Sequence, residues 1–260
     1  MRTRYSVAIM AAAVAALVTS APLQASETDD RIESSVQKSY VFKTYLKDDA
    51  IQTRSRDGVV TLTGTVAKES HKTLAEDTVA GLPGVKNVDN RLEVKGEPTA
   101  AKYSDAWLIT KVKTTLLFHR NVSAGSTEVS AREGHVTLRG ETSSEAQKAL
   151  TTEYAKDVEG VKDVSNKMTV SRNLKRPGET MGENIDDASI TAQVKMSLLY
   201  HRSTSASNTR VETNEGVVTL GGKARNAAEK DLVTKLVTDI NGVKSVVNNM
   251  TIDESISRND

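Results

Sequence analysis

The sequence contains no cysteine, which excludes a disulfide framework and also an acylated cysteine at a processing site. Aromatic residues make up only 3% of its 260 residues, with one tryptophan and two phenylalanines. Each hydrophobic core must therefore rest on Val, Leu, Ile and Ala. A surplus of charge is missing too: 35 basic and 34 acidic residues nearly cancel, and no segment has the basic excess of a nucleic-acid binder. Long apolar runs are absent. The longest, Val7 to Val18, falls short of the roughly 20 residues that a bilayer span requires.

That run follows Arg2 and Arg4 and precedes Ala-Pro-Leu-Gln-Ala at 21–25. A positive start, an apolar stretch and small residues at a cleavage position form the pattern of a secretory signal. Residues 1–25 are therefore expected to be removed after Ala25. Removal leaves 33 basic against 34 acidic residues, and the mature chain is expected to be soluble in an exported compartment.

What the chain does contain is a threefold repeat. Gly58, Gly64 and Gly84 recur as Gly134, Gly140 and Gly160, and again as Gly216, Gly222 and Gly242, always spaced by six and then twenty residues. The copies are offset by 76 and then 82 residues, so one small supersecondary unit is used three times. A unit of about 65 residues is marginally stable alone. The units are expected to lean on one another.

Periodicity gives each unit its elements. Val60, Leu62 and Val66 alternate with Thr61, Thr63 and Thr65, as in a half-buried strand. A shorter strand near Ile51, Val129 or Val211 precedes it through Asp57-Gly58, Glu133-Gly134 or Glu215-Gly216, which read as hairpin turns. A helix follows, clearest from Ala228 through Leu232, Val233, Leu236, Val237 and Ile240, with Gly242 standing where a C-cap glycine would. A last strand returns parallel through the crossover. An opening helix is marked by Leu108, Val112 and Leu116, and by Ile190, Val194 and Leu198. The fold class is α+β: three tandem αββαβ units, each a three-stranded mixed sheet with two helices on one face. The units are expected at 31–96, 104–171 and 185–253.

This order of elements, the Gly-Val-Val-Thr-Leu-x-Gly rung and the later Gly-Val-x-x-Val resemble the BON domain. The match is strongest over Tyr45 to Val66. Units two and three carry longer loops at Ser123 to Thr127 and Ser203 to Thr209. The resemblance implies a periplasmic envelope protein of the osmotic-stress type, without catalytic activity, that binds phospholipid membranes or envelope proteins. Such chains usually hold two of these domains, so the third is a departure.

Nothing in the residues points to catalysis. His71, His119, His135 and His201 fall singly, without the paired spacing of a zinc site. The glycine rungs lack the Lys-Ser/Thr ending of a phosphate loop. Neither a cofactor nor a small-molecule substrate is expected.

The candidate site lies where the copies differ. On the opening helix of unit two, Trp107, Lys111, Thr114 and Phe118 share a face separate from the core stripe. An aromatic–cation–aromatic surface suits the headgroup level of an anionic bilayer. The alternative is that Trp107 and Phe118 pack against the neighbouring unit or the linker. The equivalent face of unit three is Ser189, Gln193, Met196 and Tyr200. His119-Arg120 and His201-Arg202 end the two opening helices, where a cation suits the carbonyl end of the dipole or could form an anion site. The expected partners are an anionic phospholipid surface or other periplasmic and outer-membrane proteins, the latter held by a chaperone-like module. Linkers are expected at Glu97 to Ala101 and over 172–184, the longer second joint making unit three the more mobile.

Overall fold

In the computed structural model the described residues are 22–95, 104–171 and 184–253. Most of the expected leader and both linkers lie outside them. Pro22 to Ala25, the end of the expected leader, begin the first helix.

Unit one runs α1 (Pro22–Lys38), α2 (Tyr40–Thr44), β1 (Ala50–Arg56), β2 (Val59–Val66), α3 (Glu69–Ala80) and β3 (Asn87–Val94). Unit two runs α4 (Asp105–Phe118), β4 (Thr127–Arg132), β5 (His135–Thr142), α5 (Glu145–Asp157), β6 (Asp163–Asn166) and β7 (Thr169–Val170). Unit three repeats this as α6 (Asp187–Tyr200), β8 (Thr209–Asn214), β9 (Val217–Ala224), α7 (Ala227–Thr238), β10 (Ser245–Asn248) and β11 (Thr251–Ile252). The long central strand pairs antiparallel with the strand before it and parallel with the strand after the crossover, in all three units. In units two and three the last strand is interrupted at Lys167-Met168 and Asn249-Met250, and its two pieces extend the same edge.

Alternation buries the inward residues as expected: Val60, Leu62, Val136, Leu138, Val218 and Leu220 are sealed from solvent. The outward face carries the threonines. Helix starts are fixed by side chains that take up otherwise unpaired amides: Ser104 accepts from Trp107 N, Ser144 from Gln147 N, Asp186 from Ser189 N and Asn226 from Glu229 N.

All nine ladder glycines have positive φ. At the middle rung a Cβ on Gly64, Gly140 or Gly222 would lie 1.9 Å from the carbonyl oxygen of Ala50, Ser126 or Asn208, at or just before the start of the facing strand. The third rung differs from the sequence expectation. Helix α7 is capped by Asp239, and Gly242 sits in the following turn, closed by Val243 N donating to Ile240 O. Its φ of +86° suits the third position of a type II turn. In unit one Pro83 occupies the second position of the same turn.

Two ties recur that hydropathy alone does not reveal. Asp29 and Asp187 accept from the amides of the hairpin turns, Asp57 N and Gly58 N, Glu215 N and Gly216 N, at 2.7–3.0 Å. Asp105 reaches Gly134 N at 3.4 Å. Asn90, Asn166 and Asn248 donate to the carbonyls of Lys72, Lys148 and Lys230 and accept from the amide two residues ahead, joining the crossover helix to the last strand.

Gly222→Ala is expected to destabilise the chain by about 3 kcal/mol, combining an unfavourable φ with a backbone clash. Gly221→Ala, whose added Cβ would meet only Arg210 Cβ at 3.8 Å, is expected to change stability by less than about 1 kcal/mol. Urea unfolding of both variants measures the contrast.

Candidate functional site

The three units pack into one body, and unit three stands in its middle. The expectation that unit three is the most mobile is not what the packing gives. Helix α6 is buried over most of its surface, with Lys195 and Leu199 left at the solvent edge: its core stripe of Ile190, Val194 and Leu198 faces its own sheet, and Ser189, Ala192, Gln193, Met196 and Ser197 are buried too. Polar groups on the second face meet unit one. Val41 N donates to Ser189 Oγ, Tyr45 Oη to Gln193 Oε1, and Tyr40 N to Asp186 Oδ2. Gly81 at the end of α3 lets the start of α6 approach, since a Cβ there would lie 3.2 Å from Ala188 Cβ. One hydrophobic core therefore spans units one and three.

The stripe on α4 is part of this packing. Phe118 is fully buried and belongs to the core shared by units one and three, edge-on to Tyr45 at 5.4 Å. Its assignment as a membrane contact is corrected: the end of α4 inserts between the other two units, and no lipid reaches the ring. Lys111 Nζ lies 4.1 Å from the Trp107 ring and 4.7 Å from the ring of Tyr200 in unit three. It also pairs with Glu159 at 3.6 Å. Trp107 is half-buried against the core of unit two, and Thr114 is half-buried. The cation is thus sandwiched within the molecule. Burial of Tyr200 in this arrangement pushes its phenol up to about 12.

The two histidine–arginine pairs, distant in sequence, come together. Units two and three meet about a pseudo-two-fold axis through short antiparallel bridges, His119 opposite Ile240 and Val158 opposite His201. Arg120 N donates to Asp239 O and Asn241 N to Phe118 O. On the other side Arg202 N donates to Asp157 O and Glu159 N to Tyr200 O. Arg120 Nη2 caps the carbonyls of Ile240 and Val243 at 2.5 and 2.6 Å, and Arg202 Nη1 reaches Val161 O at 3.3 Å. The residues considered as an anion site find their acceptors inside the chain. The side chains take up carbonyls in the turns that follow α7 and α5, and the backbone amides of Arg120 and Arg202 take up Asp239 O and Asp157 O at the helix ends.

Between the bridges lies a cluster of ionisable groups. His119 and His201 are each 2% exposed, with Nε2 atoms 3.4 Å apart. His201 Nδ1 is 2.8 Å from Asp157 Oδ2, and His119 Nδ1 is 3.3 Å from Asp239 Oδ2. Asp239 also accepts from Tyr154 Oη at 2.5 Å and from Asn121 Nδ2, while Ser203 Oγ donates to Asp157. Tyr154 stacks on His119 with centroids 3.9 Å apart. Burial, ahead of the favourable Asp239 contact, holds the His119 imidazole below its ordinary value. Burial also pushes the Tyr154 phenol up, with the Asp239 charge adding to it.

Ser197 Oγ, 3.3 Å from His119 Nε2, completes the connectivity of a Ser–His–Asp relay. Its hydroxyl is 1% exposed in the middle of α6, so no carbonyl substrate can approach it. Among the described residues no group of three or more His, Asp or Glu is placed to hold a metal ion. His71 and His135 stand apart, the first with Nδ1 2.6 Å from the Asp49 Oδ2 acceptor. Sequence reasoning missed the cluster because 82 residues separate its halves. The available signal was that His-Arg and a helix-end Asp recur at one offset in units two and three, whereas unit one has Gly81 at the aspartate position.

The BON domain matches three segments, 28–96, 104–172 and 186–254. The Osmotically-inducible protein Y of Escherichia coli is 35% identical over 146 residues, covering 56% of this chain and 71% of that protein. The Outer membrane lipoprotein DolP of Haemophilus influenzae is 32% identical over 159 residues, covering 58% of this chain and 80% of that protein. A solved structure of CdsD, a structural protein of the type III secretion system of Chlamydia trachomatis, covers 87% of this chain and 93% of its own at 17% identity. Its TM-score is 0.24, a likeness too loose to carry an argument.

Phe118→Ala is expected to cost about 3–5 kcal/mol, the range for emptying a buried aromatic site. Thermal or urea unfolding of the full chain checks it. A loss below about 1 kcal/mol would mean that the ring is not a packing residue.

Proposed function

The chain belongs to the BON domain family, and from that premise we propose that it is a non-enzymatic envelope protein of the osmotic-stress response that binds and supports other envelope proteins. The names of its relatives, an osmotically-inducible protein and an outer membrane lipoprotein, support the envelope setting. The observation that carries the choice of partner is the use of the Trp107–Lys111–Phe118 stripe as an internal joint, with Phe118 sealed and Lys111 held between two rings. That joint removes the best membrane anchor from the surface. Of the large apolar side chains exposed among the described residues, Leu117 and Leu199 lie near the ends of α4 and α6 and Val59 opens β2, whereas Val170, Val247 and Ile252, 38%, 44% and 51% exposed, gather on the short parallel strands β7, β10 and β11. A row of strand amides with apolar side chains suits an extended client segment that adds to the sheet. Residues 1–25 would deliver the chain to the periplasm.

A second reading, attachment to anionic phospholipid surfaces, draws support from unit one. Arg54 and Arg56 are exposed there and stand opposite Thr61 and Val59 on the outward sheet face. Liposome co-sedimentation beside a client-aggregation assay separates the two. The protein-binding reading expects aggregation to be suppressed without vesicle binding, and suppression to weaken several-fold in Val247→Lys with Ile252→Lys. Vesicle pelleting that requires anionic lipid and is lost in Arg54→Ala with Arg56→Ala would replace it with the second reading. Trp107→Ala with Lys111→Ala is expected to lower stability and leave vesicle pelleting unchanged.

A further inference from the structure

The joint between units two and three contains four imidazole nitrogens in series between two carboxylates. The order is Asp157, His201 Nδ1, His201 Nε2, His119 Nε2, His119 Nδ1 and Asp239. The ring centroids are 5.6 Å apart, close to the 3.4 Å nitrogen gap plus the two ring radii, so the Nε2 atoms point at each other almost along one line.

Three ring protons fit this series. His201 Nδ1–H donates to Asp157, His119 Nε2–H donates to His201 Nε2, and a proton on His119 Nδ1 faces Asp239. With both rings neutral, His119 Nδ1 is the position without a donor, and no hydrogen bond satisfies it. A fourth proton has no place. It would set two N–H groups head to head across 3.4 Å, in a site that excludes the water needed to solvate two imidazolium ions.

The other polar groups facing the pair do not relieve this conflict. Ser197 of α6 offers one hydroxyl to His119, Tyr154 of α5 and Asn121 spend their donors on Asp239, and Ser203 spends its donor on Asp157. Arg202 lies 3.8 Å from Asp157 and weakens its pull on a proton, while Arg120 caps carbonyls. On the flank, Lys111 and Glu159 are paired with each other.

We propose that this joint is an acid-released latch: units two and three stay docked while the histidine pair holds at most three ring protons, and separate when the fourth binds. Each undocked imidazole takes its second proton near 6.5, so below that pH the open form carries four ring protons and the closed form at most three, a difference of at least one. The sign follows from linkage. Docking is at full strength above about pH 6.5 and weakens as pH falls, by about tenfold in the docking equilibrium per pH unit for each proton by which the two forms differ. The burial that holds His119 below its ordinary value acts in the same direction. Opening withdraws Tyr200 from Lys111 and uncovers the Trp107 face. The latch does not depend on which partner the protein binds.

The chain's only tryptophan reports on the latch, because Trp107 is covered by Lys111, which reaches Tyr200 across the joint. The test is to follow Trp107 emission and small-angle scattering of the full chain from pH 7.5 to 5. A reversible red shift with an increased radius of gyration, starting below about pH 6.5, is the expected result. His119→Gln offers His201 an acceptor that cannot be protonated, and is expected to move the transition at least one pH unit towards acid. Should that variant fold poorly, nitrogen-15 spectra of the wild-type imidazoles decide by counting protons: opening together with the fourth proton supports the latch. Four protonated ring nitrogens in a compact chain would overturn it. So would a transition unchanged in the His119→Gln/His201→Gln double variant, or none down to pH 5.

Discussion

The burial of α6 against all three units is the constraint on which the rest of the structure depends. A helix in a small α+β unit normally gives one stripe to its sheet and leaves the other to water. Here the stripe of Ile190, Val194 and Leu198 serves unit three, and most of the remaining surface serves units one and two. Each unit is small for independent stability. Joining units one and three through one apolar core, and closing unit two against them, raises the fraction of apolar surface that leaves water.

Apolar burial supplies the drive, but polar groups decide which surfaces meet. Ser189 and Gln193 would be costly in a dry interface without partners, and the backbone of Val41 and the hydroxyl of Tyr45 supply them. At the other joint Arg120 and Arg202 from the opposite unit take up carbonyls of the turns that follow α7 and α5, and their backbone amides take up Asp239 O and Asp157 O. Unit one cannot pair in this second way. It has Gly81 where the others have Asp157 and Asp239, and that glycine instead lets α6 come close. Three copies of one fold thus dock in two different manners through a few substitutions at helix ends.

The same positions explain how a surface anchor in sequence terms becomes a joint. Trp107, Lys111 and Phe118 have the composition of an interfacial stripe, and composition does not distinguish lipid from a protein neighbour. Both offer an apolar environment with a polar edge. Tyr45, Tyr200 and Glu159 provide that environment from within the chain.

The sequence by itself determined the threefold repeat, the order of elements in each unit, the strand faces and the core stripes. Each of these is set by spacing within about 65 residues, where the periods of 2 and 3.6 and the chirality of the crossover leave little choice. It also marked every ladder glycine, though the third proved to shape a turn beyond the helix cap. Only the tertiary structure decided that unit three is central, that Phe118 is core, and that His119 meets His201. Those outcomes depend on complementarity between faces of different units, and a single chain's periodicity is identical whether a second apolar face meets solvent, membrane or another copy.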